Sequence, residues 1–251
     1  EARRRILGEE HPDTLVSMNN LASTLTGRGD LAGAQELEER VLEARRRILG
    51  EEHPDTLGSM NNLASTFGIR GDYGRAQELH ERVLETQRRI LGEKHPDTLA
   101  SMNNLAATLS ARGDHTGAQE LQERVLEARR RILGEEHPDT LVSMSDLAYT
   151  LWYRGDHAGA QELQEQAVDA MRRRLGVEHP LTTVGVWGLL QNYLAQGDIR
   201  SGERVIRKYL LWLFERDSDS LAVPQRQIRA ELEKLIEFSS PEDEIGDGGE
   251  S

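Results

Sequence analysis

The sequence contains no cysteine, and this absence removes three classes of chemistry together. Disulfide bonds, thiolate metal sites and cysteine nucleophiles are all excluded, so a small secreted domain held together by disulfides is not a plausible class for this chain. A chain of this kind belongs by default in a reducing compartment. We therefore expect a cytoplasmic protein.

Aromatic residues, long apolar runs and net positive charge are also scarce. Aromatic residues make up 4% of the sequence, which predicts that there is no large aromatic core. No apolar run reaches the roughly 18 residues of a membrane-spanning helix, and no charged-then-apolar leader opens the sequence. The formal net charge is -13, so the attraction to phosphate that drives nucleic-acid binding is missing. These absences predict neither a membrane nor a nucleic-acid partner.

What the sequence does contain is an internal repeat with a period of 42 residues. Residues 11–52 and 95–136 differ at only seven positions, so the copies should fold alike and bury their apolar faces on their neighbours. The string HPDTL opens four copies, and a decayed form, HPLTT, opens a fifth; they begin at His11, His53, His95, His137 and His179. The sequence therefore predicts an all-α solenoid.

Each copy has two stretches of helical apolar spacing, separated by a glycine. In the first copy we predict one helix over about residues 13–28 and a second from Asp30 to about residue 49. Asp13 or Thr14 should cap the first helix, Gly29 should close it in the left-handed conformation, and Asp30 should cap the second. Each copy is thus predicted to be a helical hairpin.

The copies are flanked by other segments. Because EARRRIL at the start recurs at Glu43 within a helix, the sequence is expected to begin inside a longer protein. The acidic, Gly-rich C-terminal segment has too little apolar content to order itself. The predicted organisation is the end of a preceding repeat helix (1–10), four regular copies (11–178), a degenerate fifth copy (179–216), a capping helix (221–238) and a disordered acidic tail (239–251).

Three features carry a family resemblance: Leu21-Ala22, Arg28-Gly29-Asp30 and Ala34, all preceded by Pro12. This pattern resembles the tetratricopeptide repeat, whose usual period is 34 residues. The longer period, the HPD start and the MNNLA segment look most like kinesin light chain repeats, which are similar to arrays in bacterial signalling proteins that carry NTPase or protease domains. The resemblance covers residues 1 to about 215 and implies a right-handed superhelix.

The resemblance also implies that the first helix of each hairpin lines a concave groove. An Asn side chain offers both a donor and an acceptor to the backbone of an extended peptide. The alternative is that the Asn pairs bond between adjacent first helices and set the pitch; this alternative has more weight for the second Asn of each pair. The matching positions form a ladder of Asn19, Asn20 and Ser23, then Asn61, Asn62 and Ser65, then Asn103 and Asn104.

The ladder changes character in the fourth copy, where Asp146 replaces an amide and aromatic residues appear. Tyr149 and Trp152 match groove positions, and Trp187 follows one copy later. Large aromatic side chains are common anchors of binding sites, so these three could bound a pocket. The alternative, which we favour at this point, is that the rings pack beneath the capping helix, because the end of a solenoid needs bulky side chains.

Motifs for catalysis and metal binding are missing. We find no Walker loop, HExxH, GxSxG or pair of catalytic carboxylates on a shared face. The repeated histidines are separated by a whole copy and cannot share a metal at the ~2 Å distance that a ligand requires. The Arg28-Gly29-Asp30 tripeptide is interpreted as a helix-closing glycine followed by a cap. We therefore predict no enzyme activity, no cofactor and no metal site.

These observations predict a scaffold that holds an extended peptide or partner segment in its groove. One alternative is a sensor or autoinhibitory module, whose groove holds a domain upstream of residue 1 in a larger signalling protein. Another is a self-associating structural module that forms a homo-oligomer, since near-identical copies can stack on each other. The identity of the partner is beyond what one repeat sequence specifies.

Overall fold

The computed structural model describes the backbone of residues 2–239 and the side chains of residues 5–235. All regular structure in that part is helical, and none of its helices is both long and apolar enough to span a membrane. Of the tail predicted over residues 239–251, only Ser239 is described, and it ends a helix; the rest lies outside the described residues. The helices are α1 (Ala2–Leu7), α2 (Pro12–Gly27), α3 (Leu31–Leu49), α4 (Pro54–Ile69), α5 (Tyr73–Leu91), α6 (Pro96–Arg112), α7 (His115–Leu133), α8 (Pro138–Tyr153), α9 (His157–Leu175), α10 (Pro180–Ala195), α11 (Ile199–Tyr209), α12 (Trp212–Glu215) and α13 (Val223–Ser239), with a 3₁₀ turn at Ser218–Ser220.

The first helix of each hairpin begins at a histidine. His11 Nδ1 accepts a hydrogen bond from the backbone N–H of Asp13 at 3.2 Å, and Pro12 occupies the first helical position. The expectation that Asp13 or Thr14 provides this cap is therefore wrong, because the imidazole one residue before the proline already reaches the free N–H. The same cap is made by His53, His95, His137 and His179.

The turn inside each hairpin follows the prediction. Gly29 has φ +83°, which lies in the left-handed region that a side chain disfavours. Asp30 then accepts from the N–H of Gly33 at 3.0 Å and caps α3. Gly50 ends that helix with a positive φ of 89°, but its ψ of 166° differs from that of the left-handed helix. The predicted Gly29 turn and the Asp30 cap are confirmed.

The chain divides into two compact units, unit 1 (Glu1–Leu133) and unit 2 (Gly134–Ser251). In unit 1, α2 packs on α3, α4 on α5 and α6 on α7, and successive hairpins meet where α3 packs on α4 and α5 on α6. In unit 2, α8 packs on α9, α9 on α10 and α10 on α11, while α13 contacts α10 and α12. The predicted all-α architecture of stacked hairpins is confirmed.

Small residues let the two helices of a hairpin approach each other. Ala22 and Ala34 are fully buried at this contact. The fifth copy exchanges the sizes: Leu190 replaces the first alanine and Gly202 the second. A Cβ on Gly202 would lie 3.2 Å from Leu194 Cδ2 and 3.3 Å from Leu190 Cδ1, so the glycine provides room for both leucines. The fully buried alanines of the other copies are Ala64, Ala76, Ala106, Ala118, Ala148 and Ala160.

Ion pairs connect the loop after one hairpin to the second helix of the next hairpin. Arg82 Nη2 lies 2.5 Å from Glu51 Oε1 in unit 1, and Arg216 Nη2 lies 2.8 Å from Glu178 Oε1 in unit 2. All four side chains are about half exposed to solvent. Exposed pairs of this kind contribute about 0–1 kcal/mol each, so the apolar contacts carry most of the stability.

The C-terminal helix α13 covers apolar side chains of unit 2. Gln225 Nε2 donates to the carbonyl oxygen of Glu178 at 2.8 Å and to Thr183 Oγ1 at 3.2 Å, which positions the start of α13 against α10. Ile228 and Leu232 are buried in one cluster with residues of α10, α11 and α12. This cluster replaces the contact that a sixth hairpin would make.

Candidate functional site

A polar cavity of about 460 Å³ lies on the first-helix face of unit 1, between α2 and α4. Its position follows from the repeat, because residues 42 apart lie at the same place on neighbouring first helices. The buried side chains of Glu38 and Arg45, from α3, also line it. Five residues of the predicted ladder meet here: Asn19, Asn20, Ser23, Asn62 and Ser65.

The two members of each Asn pair differ in exposure. Asn20 and Asn62, the second members, are exposed on the first-helix face. Asn19 and Asn61, the first members, are half buried, and their Oδ1 atoms are buried without a hydrogen-bond partner. Because these oxygens accept no bond from a neighbouring first helix, the structure does not contain the Oδ1 bonds that would set the pitch. The second Asn is the better placed of the two for contact with a ligand.

The remaining ladder residues are placed elsewhere. Asn61 lines a separate cavity on the opposite side of α4, together with Gln87 and Ser101. Asn103 and Asn104 on α6 line neither of these two cavities, and Asn103 Oδ1 is also buried without a partner. The ladder is thus regular in sequence but is divided between different surroundings in space.

One repeat position supplies a buried polar side chain to every regular copy: Glu38, His80, Gln122 and Gln164. Burial raises the pKa of Glu38, and a hydrogen bond from Thr66 opposes that rise. Burial lowers the pKa of His80 to about 4, against a hydrogen bond with the backbone of Asn61. The His80 ring Nδ1 lies 3.0 Å from Thr108 Oγ1. Burial therefore shifts both residues toward their uncharged forms in the folded chain.

An apolar cavity of about 610 Å³ lies between α8 and α10 in unit 2. Tyr149, Trp152 and Trp187 all line it, together with Asp146, so the structure brings together all four residues that were singled out from the sequence in this region. The side chain of Gln164 also lines the cavity and donates from Nε2 to the carbonyl oxygen of Gly185 at 2.8 Å.

The aromatic rings support one another along α8. The ring centroids of Tyr149 and Tyr153 are 4.7 Å apart, and their hydroxyl oxygens are 3.1 Å apart. Trp152 meets Tyr153 edge to face at 4.9 Å. Partial burial, with the hydrogen bond to Tyr153, raises the pKa of Tyr149 to about 12. The phenol therefore remains neutral at physiological pH and can exchange hydrogen bonds.

Of the three aromatic residues predicted to bound a pocket, only Trp187 packs partly against the described part of the C-terminal helix α13. None of the described residues that line the cavity comes from α13. Trp187 is half buried and packs against the cluster that includes Ile228 and Leu232 of that helix. The interpretation favoured from the sequence, in which the rings pack beneath a capping helix, therefore describes part of Trp187 but neither Tyr149 nor Trp152.

Several cavity residues were missed by the sequence analysis. Met171 lies on α9, a second helix, and such helices were not considered as groove-forming. Leu181 and Val184 stand in the first turn and a half of α10. The available signal was at Leu181, where the four other copies have an aspartate, whereas Val184 repeats the valine of the first and fourth copies. Gln191 and Asn192 complete the polar part of the wall.

Metal chemistry finds no support in the described part of the chain. Its His, Asp and Glu side chains form no group of three or more that could hold an ion. Carboxylates such as Glu51 and Glu178 instead form surface ion pairs with arginines of the next hairpin.

Comparison with known proteins agrees with this architecture. Family models for the tetratricopeptide repeat match residues 14–55, 55–129 and 100–173, which is more than half of the chain. The chain belongs to the tetratricopeptide repeat family. No curated protein matches it in sequence.

Solved structures narrow the type of tetratricopeptide repeat. The kinesin light chain-type, nearly identical TPR-like repeats of Podosopora anserina are 31% identical, with a TM-score of 0.66 over 90% of this chain and 99% of that chain. BtubC (BKLC) from P. vanneervenii is 20% identical, with a TM-score of 0.66 over 92% and 87%. A Rap protein complexed with Competence and Sporulation Factor is 12% identical, with a TM-score of 0.62 over 94% and 74%. The last two show a shared fold alone.

The repeats of this chain are thus tetratricopeptide repeats of the kinesin light chain type. Tetratricopeptide repeat proteins are protein-interaction scaffolds, and the stacked hairpins of this chain place it in that class. The two first-helix cavities are the natural places to look for the contact with a partner.

Proposed function

We propose that the chain binds an extended segment of a partner polypeptide on its first-helix faces, with the aromatic cavity of unit 2 as the main anchor. One observation carries the proposal: four aromatic side chains from two neighbouring first helices, Tyr149, Trp152, Tyr153 and Trp187, line a single cavity, while Tyr149 remains 57% exposed. Rigid aromatic residues around a concave apolar surface are typical of binding hot spots.

The chemistry of the cavity favours a large apolar side chain as the anchor. Its walls are formed by aromatic rings and by Met171, Leu181 and Val184, with only a few amide groups. The indole Nε1 of Trp152 is buried without a hydrogen-bond partner, and a peptide carbonyl oxygen would supply the missing acceptor. An apolar side chain with its own backbone carbonyl therefore satisfies both features.

The amide-lined cavity of unit 1 suits the backbone of a polypeptide rather than an anchor side chain. Asn20 and Asn62 are exposed there and offer donors and acceptors together. Between Thr14 and Gly27 the sequence has no charged residue, so α2 should contribute selection by shape and by backbone hydrogen bonds, while the charged residues that line the cavity, Glu38 and Arg45, come from α3. A Rap protein of the same fold is complexed with Competence and Sporulation Factor, so the fold accommodates a ligand.

The test uses peptides selected by the chain itself from a displayed random library. The chain has three tryptophans, and two of them line the cavity. In a Trp212→Phe background, intrinsic fluorescence therefore reports on the cavity alone. Selected peptides should contain a large apolar residue and should change this fluorescence on titration.

Matched variants distinguish the cavity from the rest of the surface. Trp152→Ser installs the residue found one copy earlier, at Ser110, and should weaken binding by about 30-fold, the loss of one aromatic hot spot. Tyr73→His is the control, because Tyr73 lines neither cavity and its counterparts in the third and fourth copies are histidines. Equal affinity of the Trp152→Ser variant and the parent would contradict the proposal.

A further inference from the structure

The contact between successive hairpins contains a position whose partner changes from copy to copy. In the first copy, Arg45 reaches from α3 to α4 and donates from Nη1 to the carbonyl oxygen of Asp55 and to Ser59 Oγ, both at 2.9 Å. The guanidinium group is buried and its two acceptors are satisfied. Where the serine is present, an arginine at this position thus satisfies both the serine hydroxyl and the carbonyl oxygen.

The last regular copy has no polar side chain at the same position. Met171 stands where Arg45 stands in the first copy, and Gly185 replaces the serine. A Cβ on Gly185 would lie 3.0 Å from Met171 Sδ, so the glycine accommodates the thioether. The arginine is thus replaced by methionine at the same contact where glycine replaces the serine, whose hydroxyl is the hydrogen-bond partner of the arginine.

The second copy keeps the serine but lacks the arginine. Gln87 replaces it and is too short to repeat the contact, while Ser101 remains. Gln87 Oε1 and Ser101 Oγ are both buried with no hydrogen-bond partner, and the two residues are 8% and 1% exposed. Leaving a polar group buried and unsatisfied costs about 1–3 kcal/mol. A hydrogen-bond donor that reached these oxygens would therefore be stabilising.

A cavity of about 360 Å³ lies where the missing guanidinium would be. Gln87 and Ser101 line it, and so does Asn61, whose Oδ1 is also buried without a partner. Gly58 widens it, because a Cβ there would meet no atom within 4 Å, whereas the first copy has Val16 at this position. Three of the residues that line the cavity therefore carry a buried oxygen without a hydrogen-bond partner, and the space is open beside Gly58.

We propose that this cavity binds a guanidinium group supplied from outside the chain, as in an arginine side chain of a partner polypeptide. A guanidinium carries five N–H donors and no acceptor, which complements a cavity of unpartnered oxygens. Leu57, Ile90 and Leu91 line the cavity and suit the apolar stem of an arginine. Glu52, which pairs with Arg89, and Asp97 add carboxylates at its exposed rim.

The guanidinium site does not depend on the aromatic cavity. It is formed by residues of unit 1 only, so Trp152→Ser should leave the binding of arginine unchanged. Failure of the anchor proposal and failure of this one are therefore separate results.

The test is calorimetric titration of the full chain with Nα-acetyl-L-arginine methylamide, beside its lysine counterpart and free L-arginine. We expect one site, with the lysine probe bound at least about tenfold more weakly because an ammonium cannot match several acceptors at once. Tighter binding of the capped probe would identify a polypeptide as the source, and tighter binding of free L-arginine a small molecule. Absence of any arginine binding would overturn the proposal.

Two variants test the place of the site. Gln87→Arg fills the cavity with the chain's own guanidinium, so it should raise the melting temperature and weaken probe binding at least about tenfold. Arg45→Gln combined with Val16→Gly should create a second site and change the stoichiometry from one to two, with circular dichroism to verify the fold. Unchanged probe binding by Gln87→Arg would overturn the assignment.

Discussion

The copies in unit 1 and those in unit 2 share one backbone pattern and differ in their side chains at three places. On the first-helix face, Ser65 and Gly68 of unit 1 correspond to Tyr149 and Trp152 of unit 2. At the buried polar position, unit 1 has Glu38, His80 and Gln122, two of which titrate, whereas unit 2 has Gln164. In the core of the hairpin, paired alanines give way to a leucine and a glycine in the fifth copy.

The comparison teaches which residues determine the fold and which are left free. The histidine caps, the left-handed glycines and the aspartate caps recur in both units, and together they fix where each helix begins and ends. The residues on the first-helix face differ between copies that keep these caps and turns, as Ser110 and Trp152 do. Ligand chemistry can therefore vary there without a change of architecture.

The hairpin core should give the largest effect. Leu190 is fully buried, and no Cβ stands opposite it at Gly202, so Leu190→Ala should lower the free energy of unfolding by about 2–5 kcal/mol. Adding Gly202→Ala restores the pair of alanines found in regular copies and should recover about 1 kcal/mol. Urea unfolding measures both values. A loss below about 1 kcal/mol for the single variant would mean that the two cores are interchangeable.

The buried polar position should give the next effect, as a difference in pH dependence. The pKa of His80 is about 4 in the folded chain and near 6.5 when unfolded, so the unfolded chain binds the extra proton between these values. Stability should therefore fall as pH drops from 6.5 to 4. His80→Gln, the residue of the next copy, should remove about 2 kcal/mol of that fall at pH 4.5.

Glu38→Gln provides the opposite sign in the same experiment. Because burial raises the pKa of Glu38, its contribution to stability is present below its unfolded pKa and is lost as pH rises through the folded value. The glutamine variant should therefore gain more stability at pH 7 than at pH 4. Parallel pH profiles for both variants and the parent chain would refute this account of the position.

The polar first-helix face should give the smallest effect. Asn20→Ala with Asn62→Ala removes exposed amides from the cavity of unit 1 and should weaken binding of a selected peptide by about 2- to 10-fold, the range of one ordinary hydrogen bond. Asn104→Ala is the matched control, since that side chain lines neither the cavity of unit 1 between α2 and α4 nor the cavity beside Gln87. If the double variant loses more affinity for the peptide than Trp152→Ser does, the cavity of unit 1 and not that of unit 2 is the main anchor.

Much of the fold could be predicted because it depends on local residues. Gly29 and Asp30 act within their own turn, and their roles follow from the sequence directly. The His11 cap escaped prediction because histidine is not among the usual cap residues, although its ring reaches the N–H two residues on. The pairing of Asn20 with Asn62 around one cavity needed only the repeat period.

The cavity beside Gln87 could not be predicted, because it depends on a contact between two hairpins. The distances that show Arg45 serving Asp55 and Ser59 are visible only in three dimensions. The sequence did contain a signal, since Gln87 departs from arginine while the serine 14 residues later is kept. Met171 and Gly185, which change together, are the contrasting case.

The recurrence of complete sets of caps, turns and core alanines has a consequence for how such a chain can change over time. Residues 53–94 begin and end at the same point of the repeat, so their removal would join Glu52 to His95 across a junction like the one that Lys94 makes now. Since each hairpin depends mainly on its neighbours, whole copies can be gained or lost while both ends stay intact. The number of copies, and with it the length of partner that the scaffold can follow, is thus open to change independently of the chemistry on its surface.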